Sequence, residues 1–214
     1  MYKYLDKLLE AEKKKVRTAF NRLSVTGFDE LNVVNTRKTT QAMYDAFLRD
    51  NEAMYLKASK DAYKKALSAA KKEGFSGESD EINSDWLVGI LAGVNFVSGY
   101  LYTKEAERKR LRLNEQILTA REYNNRTMYQ DSLRRSANLW WTQTTLYGVS
   151  AVDEATIKGF KDMGVSEVRW VTAEDERTCP TCGDRHNKVY RIGNIPPKPH
   201  YGCRCYVVPA KEKE

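Results

Sequence analysis

The stretch that decides the C-terminal fold is TCPTCGDRH, residues 178–186, together with PHYGCRC, residues 199–205, which follows a proline-rich loop. All four cysteines and both histidines of the 214-residue chain lie in these two segments. Thiols and imidazoles gathered in one short region are typical of a metal site or of a disulfide framework. The sequence therefore predicts that this region folds around these side chains.

The spacing of these residues suits a tetrahedral zinc ion. Two residues separate Cys179 from Cys182, so a turn can point both sulfurs at one centre. Cys203 and Cys205 alternate, and on an extended strand they face the same side. Four ligands close a structural site, and the spacing leaves open which four they are. The predicted ligands are Cys179, Cys182, His200, Cys203 and Cys205, with His186 as a sixth candidate.

The residues after Trp170 include few large apolar side chains and several prolines and glycines, which is too little for a core formed by burial alone. A structural zinc ion supplies on the order of 10 kcal/mol of apparent folding free energy, enough to hold such a segment. We therefore predict one structural Zn²⁺ as cofactor. Disulfide pairing of the same four cysteines is the alternative, and it applies if the mature protein leaves the cytoplasm.

The cysteine spacing does not match two familiar enzyme classes. A zinc deaminase needs His-x-Glu and Pro-Cys-x-x-Cys, with one coordination position left for water. Here the histidines begin HNK and HYG, and the cysteine motif is Cys-Pro-Thr-Cys. A thioredoxin-like dithiol requires a strand-helix-strand context that the surrounding sequence lacks. We therefore predict that the chain is not an enzyme.

Most of the chain before these segments is predicted to be helical. Apolar residues recur at three- and four-residue steps in residues 2–23, 36–72, 104–123 and 125–148. An aromatic stripe in the last of these ranges is typical of core packing. Ser150 and Asp153 have capping-box spacing, which predicts that a further helix begins here and ends before Gly164.

After Gly164 the apolar period changes to two. EVRWVTA alternates as a strand does, and KVYRI and RCYVVP are candidates for two more short strands. The predicted fold is therefore mainly α. It has an elongated helical body at residues 1–149 and a small C-terminal α+β zinc-binding unit at residues 150–214.

The net charge of +7 favours contact with a polyanion or an acidic protein surface. Basic residues concentrate in the predicted helix 104–123, where they are candidates for phosphate contacts. The alternative is a solvated helix face whose charges pair with Glu105 and Glu107. The candidate nucleic-acid-binding residues are Lys104, Arg108, Lys109, Arg110 and Arg112.

The uncharged segment 86–102 raises the question of a membrane span. It is short for a span and contains Asn95 and Ser98, so we predict a buried helix followed by a turn. The N-terminus mixes charges of both signs and lacks the apolar run of a secretory signal. We therefore expect assembly in the cytoplasm and no membrane partner.

Two motifs follow one another in a specific order: Asp-x-Arg-x-Cys-x-x-Cys, then a proline pair and His-x-x-Cys-Arg-Cys. Together with the segment from Ser98 through EAERKR, this pattern resembles the minor head, or head-morphogenesis, proteins of tailed bacteriophages, the family named for the minor head protein of phage Mu. A Leu-His-Gly after the second cysteine is commoner there, so GDRHNK leaves His186 in doubt as a ligand. The matching positions are Asp175, Arg177, Cys179, Cys182, His186, Pro196, Pro197, His200, Cys203, Arg204 and Cys205.

The resemblance implies a virion protein that acts in head morphogenesis. Its expected location is the capsid near the portal vertex, after assembly in the host cytoplasm. The expected partners are the portal protein, the scaffolding protein and the major capsid protein. The alternative function is a nucleic-acid-binding module that contacts packaged phage DNA through the basic helix.

Overall fold

The computed structural model describes residues 2–25, 27–93, 102–172, 178–200 and 203–211. Within these ranges the chain forms six α-helices, a short 3₁₀ turn and three strands. The helices are α1 (Lys3–Val25), α2 (Val33–Lys72), α3 (Ser84–Gly93), α4 (Tyr102–Glu122), α5 (Arg126–Asp162) and α6 (Pro180–Arg185), with the 3₁₀ turn at Phe28–Glu30. The strands are β1 (Glu167–Val171), β2 (Val189–Arg191) and β3 (Tyr206–Ala210).

The predicted fold class is confirmed in its main feature, a mainly helical chain with small C-terminal strands. The predicted helices at 2–23 and 36–72 correspond to α1 and α2. The elongation of the body and the division at residue 149 stay predictions.

The prediction that a new helix begins at Ser150 is wrong, because α5 continues without a break from Arg126 to Asp162. The Ser150 hydroxyl donates to the Leu146 carbonyl 3.1 Å away, one helical turn earlier, instead of capping a new helix. Gly148 does not end the helix. It allows α5 to pack closely against α1 and α2, because a Cβ there would lie 3.2 Å from both Leu5 and Tyr55. Local capping residues are therefore overridden by the buried stripe that continues through this region.

The core of the body is the long contact between α2 and α5, which α1 and α4 flank. The aromatic stripe predicted for the core is confirmed, since Trp140 is fully buried and meets the Tyr44 ring edge-on at 4.7 Å. Two hydrogen bonds cross this interface: Tyr55 Oη donates to the Thr144 carbonyl at 2.8 Å, and Asn51 Nδ2 donates to Thr144 Oγ1 at 3.0 Å. These contacts fix the register of the two helices.

The three strands form one antiparallel sheet in the order β2-β1-β3. Val168 and Trp170 point to the same face of β1 and are buried, as their alternation predicted. They belong to one core cluster with Phe160 and Met163 from the end of α5 and its C-cap, and with Ala66 of α2. The sheet therefore covers the C-terminal ends of the two central helices.

A buried polar network ties the C-terminal region to the first turn of α1. The Tyr2 hydroxyl lies 2.6 Å from Asp153 Oδ1 and 3.0 Å from the Cys205 carbonyl oxygen. Lys198 donates to the Tyr2 hydroxyl and pairs with Asp153 Oδ2 at 2.6 Å. Burial raises the pKa of Asp153, and Lys198 opposes that shift. We call Tyr2, Asp153 and Lys198 the N-terminal clasp.

The apolar segment that raised the question of a membrane span begins with α3. Leu87 and Leu91 are buried in the body, whereas Val88 is exposed. Asn95 and Ser98 lie outside the described residues. Among the helices that the structure describes, none has the length and apolar character needed to cross a bilayer.

The close approach of α2 and α5 predicts a large penalty for Gly159→Ala. A Cβ at Gly159 would lie 2.8 Å from Ala66 Cβ and 3.1 Å from the Tyr63 carbonyl oxygen. Overpacking of this kind costs about 1–3 kcal/mol of unfolding free energy, which urea denaturation measures. Gly89→Ala is the matched control, since a Cβ there meets nothing within 4 Å; it should leave the protein as stable or slightly more stable. Equal stability of both variants would contradict the packing described here.

The N-terminal clasp predicts that Tyr2→Phe destabilises the protein by about 1–2 kcal/mol, because it removes a hydroxyl that serves the buried Asp153–Lys198 pair. Thermal or urea unfolding of the full chain provides the measurement. The half-buried Tyr4, on the same helical turn but outside the network, supplies the control variant Tyr4→Phe. A Tyr2→Phe protein as stable as the control would show that the clasp contributes nothing to folding.

Candidate metal centre

Cys179 and Cys182 are positioned by the start of α6. Cys179 is the N-cap residue, and its sulfur accepts a hydrogen bond from the Cys182 backbone N–H at 3.4 Å. Pro180 occupies the first helical position, where its fixed φ favours the helix and its missing N–H costs nothing. The turn predicted from the two-residue spacing is therefore present, and it brings the two sulfurs to one side.

Cys205 lies directly before β3, not within it as the predicted strand RCYVVP had it, and Cys203 lies two residues earlier. Both are buried, and they are held there because β3 pairs with β1 in a register that sets Val207 opposite Trp170. The pairing of β3 with β1 thus brings Cys203 and Cys205 close to Cys182. Their common burial agrees with the expectation that the alternation puts both side chains on one side.

The structure brings the five predicted ligands into two groups that share Cys182. In one group the ligand atoms of Cys179, Cys182 and His200 all lie within 4.8 Å of one another, and in the other those of Cys182, Cys203 and Cys205 do. The Cys182 sulfur is 3.6 Å from the Cys203 sulfur and 3.9 Å from His200 Nε2. Ligand atoms around a tetrahedral zinc ion are about 3.5–3.8 Å apart, as the Zn–S and Zn–N bond lengths require.

The four cysteines, all of which the structure describes, form no disulfide. Burial raises the pKa of the Cys182 thiol well above its usual range and raises that of Cys205 as well. The hydrogen bond from the Cys182 backbone N–H lowers the pKa of Cys179. A divalent metal that binds the buried thiols must therefore displace their protons.

One orphaned donor supports a negatively charged sulfur at this place. The Trp170 indole N–H is buried, and no acceptor among the described residues meets it with ordinary hydrogen-bond geometry. It neighbours Cys205 and lowers the pKa of that thiol, against the larger effect of burial. A metal-bound thiolate is the acceptor that this N–H lacks, so the surroundings of Cys205 fit a metal ligand.

His186, the sixth candidate, has a different position. Its Nδ1 accepts a hydrogen bond from the Thr172 backbone N–H at 3.2 Å and lies 3.0 Å from Thr172 Oγ1. It belongs to neither group of ligand atoms. His186 therefore links the end of α6 to the end of β1. Asp175 and Arg177, which carried part of the motif, lie outside the described residues.

Three of the basic residues of α4 form ion pairs with glutamates of the same helix. Arg108 and Lys109 both bond Glu105, at 2.8 and 2.5 Å. These bonds lower the pKa of Glu105 even though its burial acts in the opposite direction. Arg110 is buried and bonds Glu107.

Of the five candidates for nucleic-acid binding, Lys104 and Arg112 are exposed, whereas the other three are engaged by the two glutamates. This is the alternative that the sequence left open, a helix face of paired charges. Nucleic-acid binding by these residues stays a prediction, and no observation on the described part of the chain supports it.

The N-terminal clasp is the feature that sequence reasoning missed. Lys198 lies two residues before His200, and the Cys205 carbonyl is itself a clasp contact. A further ion pair joins Arg204 to Asp6 at 2.6 Å. Asp153 could have been noticed as a carboxylate on a buried helix stripe, but nothing local identifies Tyr2 or Lys198 as its partners.

Comparison with known proteins gives one match. Residues 104–208 match the model of the family described as Phage Mu protein F like protein. The matched range begins in α4 and ends in β3, so it includes every candidate metal ligand. No curated protein and no solved structure matches the chain. This match over just under half of the chain confirms the resemblance to the Phage Mu protein F-like family, and it points to a role in phage head morphogenesis.

Proposed function

We propose that this protein is a minor head protein that binds the portal vertex during phage head assembly. The observation that carries the proposal is the family match over residues 104–208. The family of phage head proteins implies a structural role and not an enzymatic one. The proposed location is the capsid near the portal, after assembly in the host cytoplasm, with scaffolding and major capsid proteins as further neighbours.

In this proposal the two parts of the chain have separate tasks. The helical body, residues 1–149, presents surfaces for docking, and residues 150–214 form a unit that a structural zinc ion holds together. Four of Cys179, Cys182, His200, Cys203 and Cys205 bind the ion. Cys182 belongs to both groups of ligand atoms, so we propose it as one of the four.

The chemistry of the donors supports zinc. Four thiols and one imidazole are the soft and borderline ligands that structural zinc sites use. The ion would supply folding free energy on the order of 10 kcal/mol. What the protein contributes is the arrangement of the sulfurs by the α6 turn and by the pairing of β3 with β1.

The zinc proposal predicts about one zinc per chain in reduced protein that has been purified without added metal, as measured by elemental analysis. Chelation should release the ion and raise amide hydrogen exchange in β1, β2 and β3, while α2 and α5 stay protected. Lowering the pH should also release it, because protons compete for the sulfurs.

Two substitutions test this prediction, one at a proposed ligand and one at a control position. Cys182→Ser removes the ligand common to both groups and should abolish metal binding. His186→Ala removes a histidine outside both groups and should leave the zinc content unchanged. Reduced, metal-free protein whose strands are as protected as those of the purified chain would refute the structural role of zinc.

The docking proposal predicts a stable complex between this chain and the portal protein of the same phage. The two proteins are coexpressed under reducing, zinc-replete conditions and separated by size-exclusion chromatography, where they should elute together. The major capsid protein of the phage, coexpressed in place of the portal protein, tests whether the association is selective. Separate elution of the chain and the portal protein would remove portal binding as the function.

A further inference from the structure

Three of the five candidate metal ligands lie on one loop, residues 195–205, which we call the ligand loop. It carries His200, Cys203 and Cys205, and the structure describes residues 195–200 and 203–205 of it. None of these described residues belongs to a helix or a strand. The position of the ligand loop therefore depends on its two ends and on the side-chain contacts that it makes.

The N-terminal clasp joins the ligand loop to two helices at a single hydroxyl group. Tyr2 Oη lies 3.0 Å from the Cys205 carbonyl oxygen and 2.6 Å from Asp153 Oδ1 of α5. Lys198 Nζ donates to the same hydroxyl and pairs with Asp153 Oδ2 at 2.6 Å. The side chains of Lys198 and Asp153 are only 14 % and 17 % exposed. Such an ion pair resists opening, because each charge would lose its partner in a poorly hydrated place.

Two further contacts hold the ligand loop at neighbouring positions. Arg204, between the two cysteines, pairs with Asp6 of α1 at 2.6 Å. Arg185 of α6 donates to the Pro197 carbonyl oxygen at 2.7 Å, which joins the loop to the helix that carries Cys182. The Arg204–Asp6 pair is 59 % and 40 % exposed, and exposed ion pairs contribute little. The N-terminal clasp is therefore the stronger of the two restraints from α1.

The candidate metal centre needs its two cysteine pairs in one place. The α6 turn positions Cys179 and Cys182 locally, whereas Cys203 and Cys205 belong to the ligand loop. The distance of 3.6 Å between the Cys182 and Cys203 sulfurs is therefore kept only while the loop stays in place. A loop that is already ordered loses less conformational freedom when an ion binds. Contacts that orient metal ligands from outside contribute about 10–100-fold to metal affinity.

We infer that the N-terminal clasp positions the cysteines of the ligand loop, so that Tyr2 and Asp153 are positioning residues of the metal centre although neither binds the metal. Because coupling between two sites is reciprocal, the bound ion in turn strengthens the attachment of the first turn of α1 to the C-terminal unit. This inference rests on the proposed zinc centre, and it names residues outside the centre that set its affinity.

Tyr2→Phe tests the clasp without a change of charge. The Zn²⁺ affinity of the full, reduced chain is measured by competition with a chromophoric chelator, and the variant should bind about tenfold more weakly. Tyr55→Phe is the matched control, since it removes a buried hydroxyl that donates to the Thr144 carbonyl between α2 and α5. It should lower the stability of the protein and leave the zinc affinity unchanged. If Tyr2 acted only through overall stability, the two variants would bind zinc alike.

Asp153→Ala separates positioning from electrostatics, because the two effects have opposite signs. Any four of the five candidate ligands include at least three thiolates, so the centre with Zn²⁺ carries a net negative charge. Removal of a carboxylate close to the ligand loop would strengthen zinc binding if charge alone mattered. Loss of the clasp should instead weaken it by about tenfold. The control is Glu154→Ala, which removes a half-buried carboxylate of α5 outside the clasp and should not weaken binding.

Thiol reactivity tests the position of the ligand loop without any metal. The metal-free, reduced chain is treated with iodoacetamide, and mass spectrometry of its peptides gives the alkylation rate of each cysteine. Cys203 and Cys205 are buried, so they react when the loop opens. Tyr2→Phe should speed their alkylation by about fivefold, as the loss of one ordinary hydrogen bond does. The half-buried Cys179, which the α6 turn positions, should react at an unchanged rate.

The outcomes separate this inference from the proposed cofactor. Weaker zinc binding in both clasp variants supports the inference, whereas unchanged or tighter binding in either variant overturns it and leaves the zinc centre standing. If the unmodified chain binds no zinc, the proposed cofactor is wrong, and alkylation decides whether the clasp positions the thiols. Faster alkylation of Cys203 and Cys205 in Tyr2→Phe then supports that role, and equal rates overturn it.

Discussion

The C-terminal part of this protein is built around buried cysteine sulfurs, and Cys182 is common to both groups of candidate metal ligands. The three short strands bury one face against the ends of α2 and α5. Their core cluster includes Cys182, Cys203 and Cys205 beside Trp170, so the thiols occupy space that apolar side chains occupy in larger domains. As neutral thiols they pack as small hydrophobic groups, and as thiolates they bind a metal. The same side chains therefore serve the core and the candidate metal centre.

The second constraint is the connection between the cysteines and the body. The N-terminal clasp and the Arg204–Asp6 ion pair both join residues next to candidate ligands to the first turn of α1. Movement of the loop that carries His200 or Cys205 would disturb the clasp, because Lys198 and the Cys205 carbonyl are its contacts. Side-chain contacts therefore hold the first helix and the C-terminal unit together, although they are far apart in the sequence.

The sequence predicted what local patterns determine and missed what long-range contacts decide. Helical periodicity predicted α1 and α2, and the alternation of Val168 with Trp170 predicted β1, because each pattern reflects burial within one element. The cysteine spacing predicted the turn at Cys179 for the same reason. The helix start at Ser150 was wrong because a capping pattern lies on a stripe that packs against α1 and α2. The N-terminal clasp has no local signal, since it is assembled from segments that only the fold brings together.

The candidate metal centre lies at one end of the pair of long helices. Thr36, near the start of α2, and Ala66, in the core cluster of the cysteines, are thirty residues apart, which a continuous helix spreads over about 45 Å. Between them α2 is held to α5 by Asn51 and Tyr55 on one side and by the close approach at Gly159 on the other. These contacts resist sliding of the two helices, because a shift would break the hydrogen bonds of Asn51 and Tyr55 and bring a Cβ-free position away from its close neighbours.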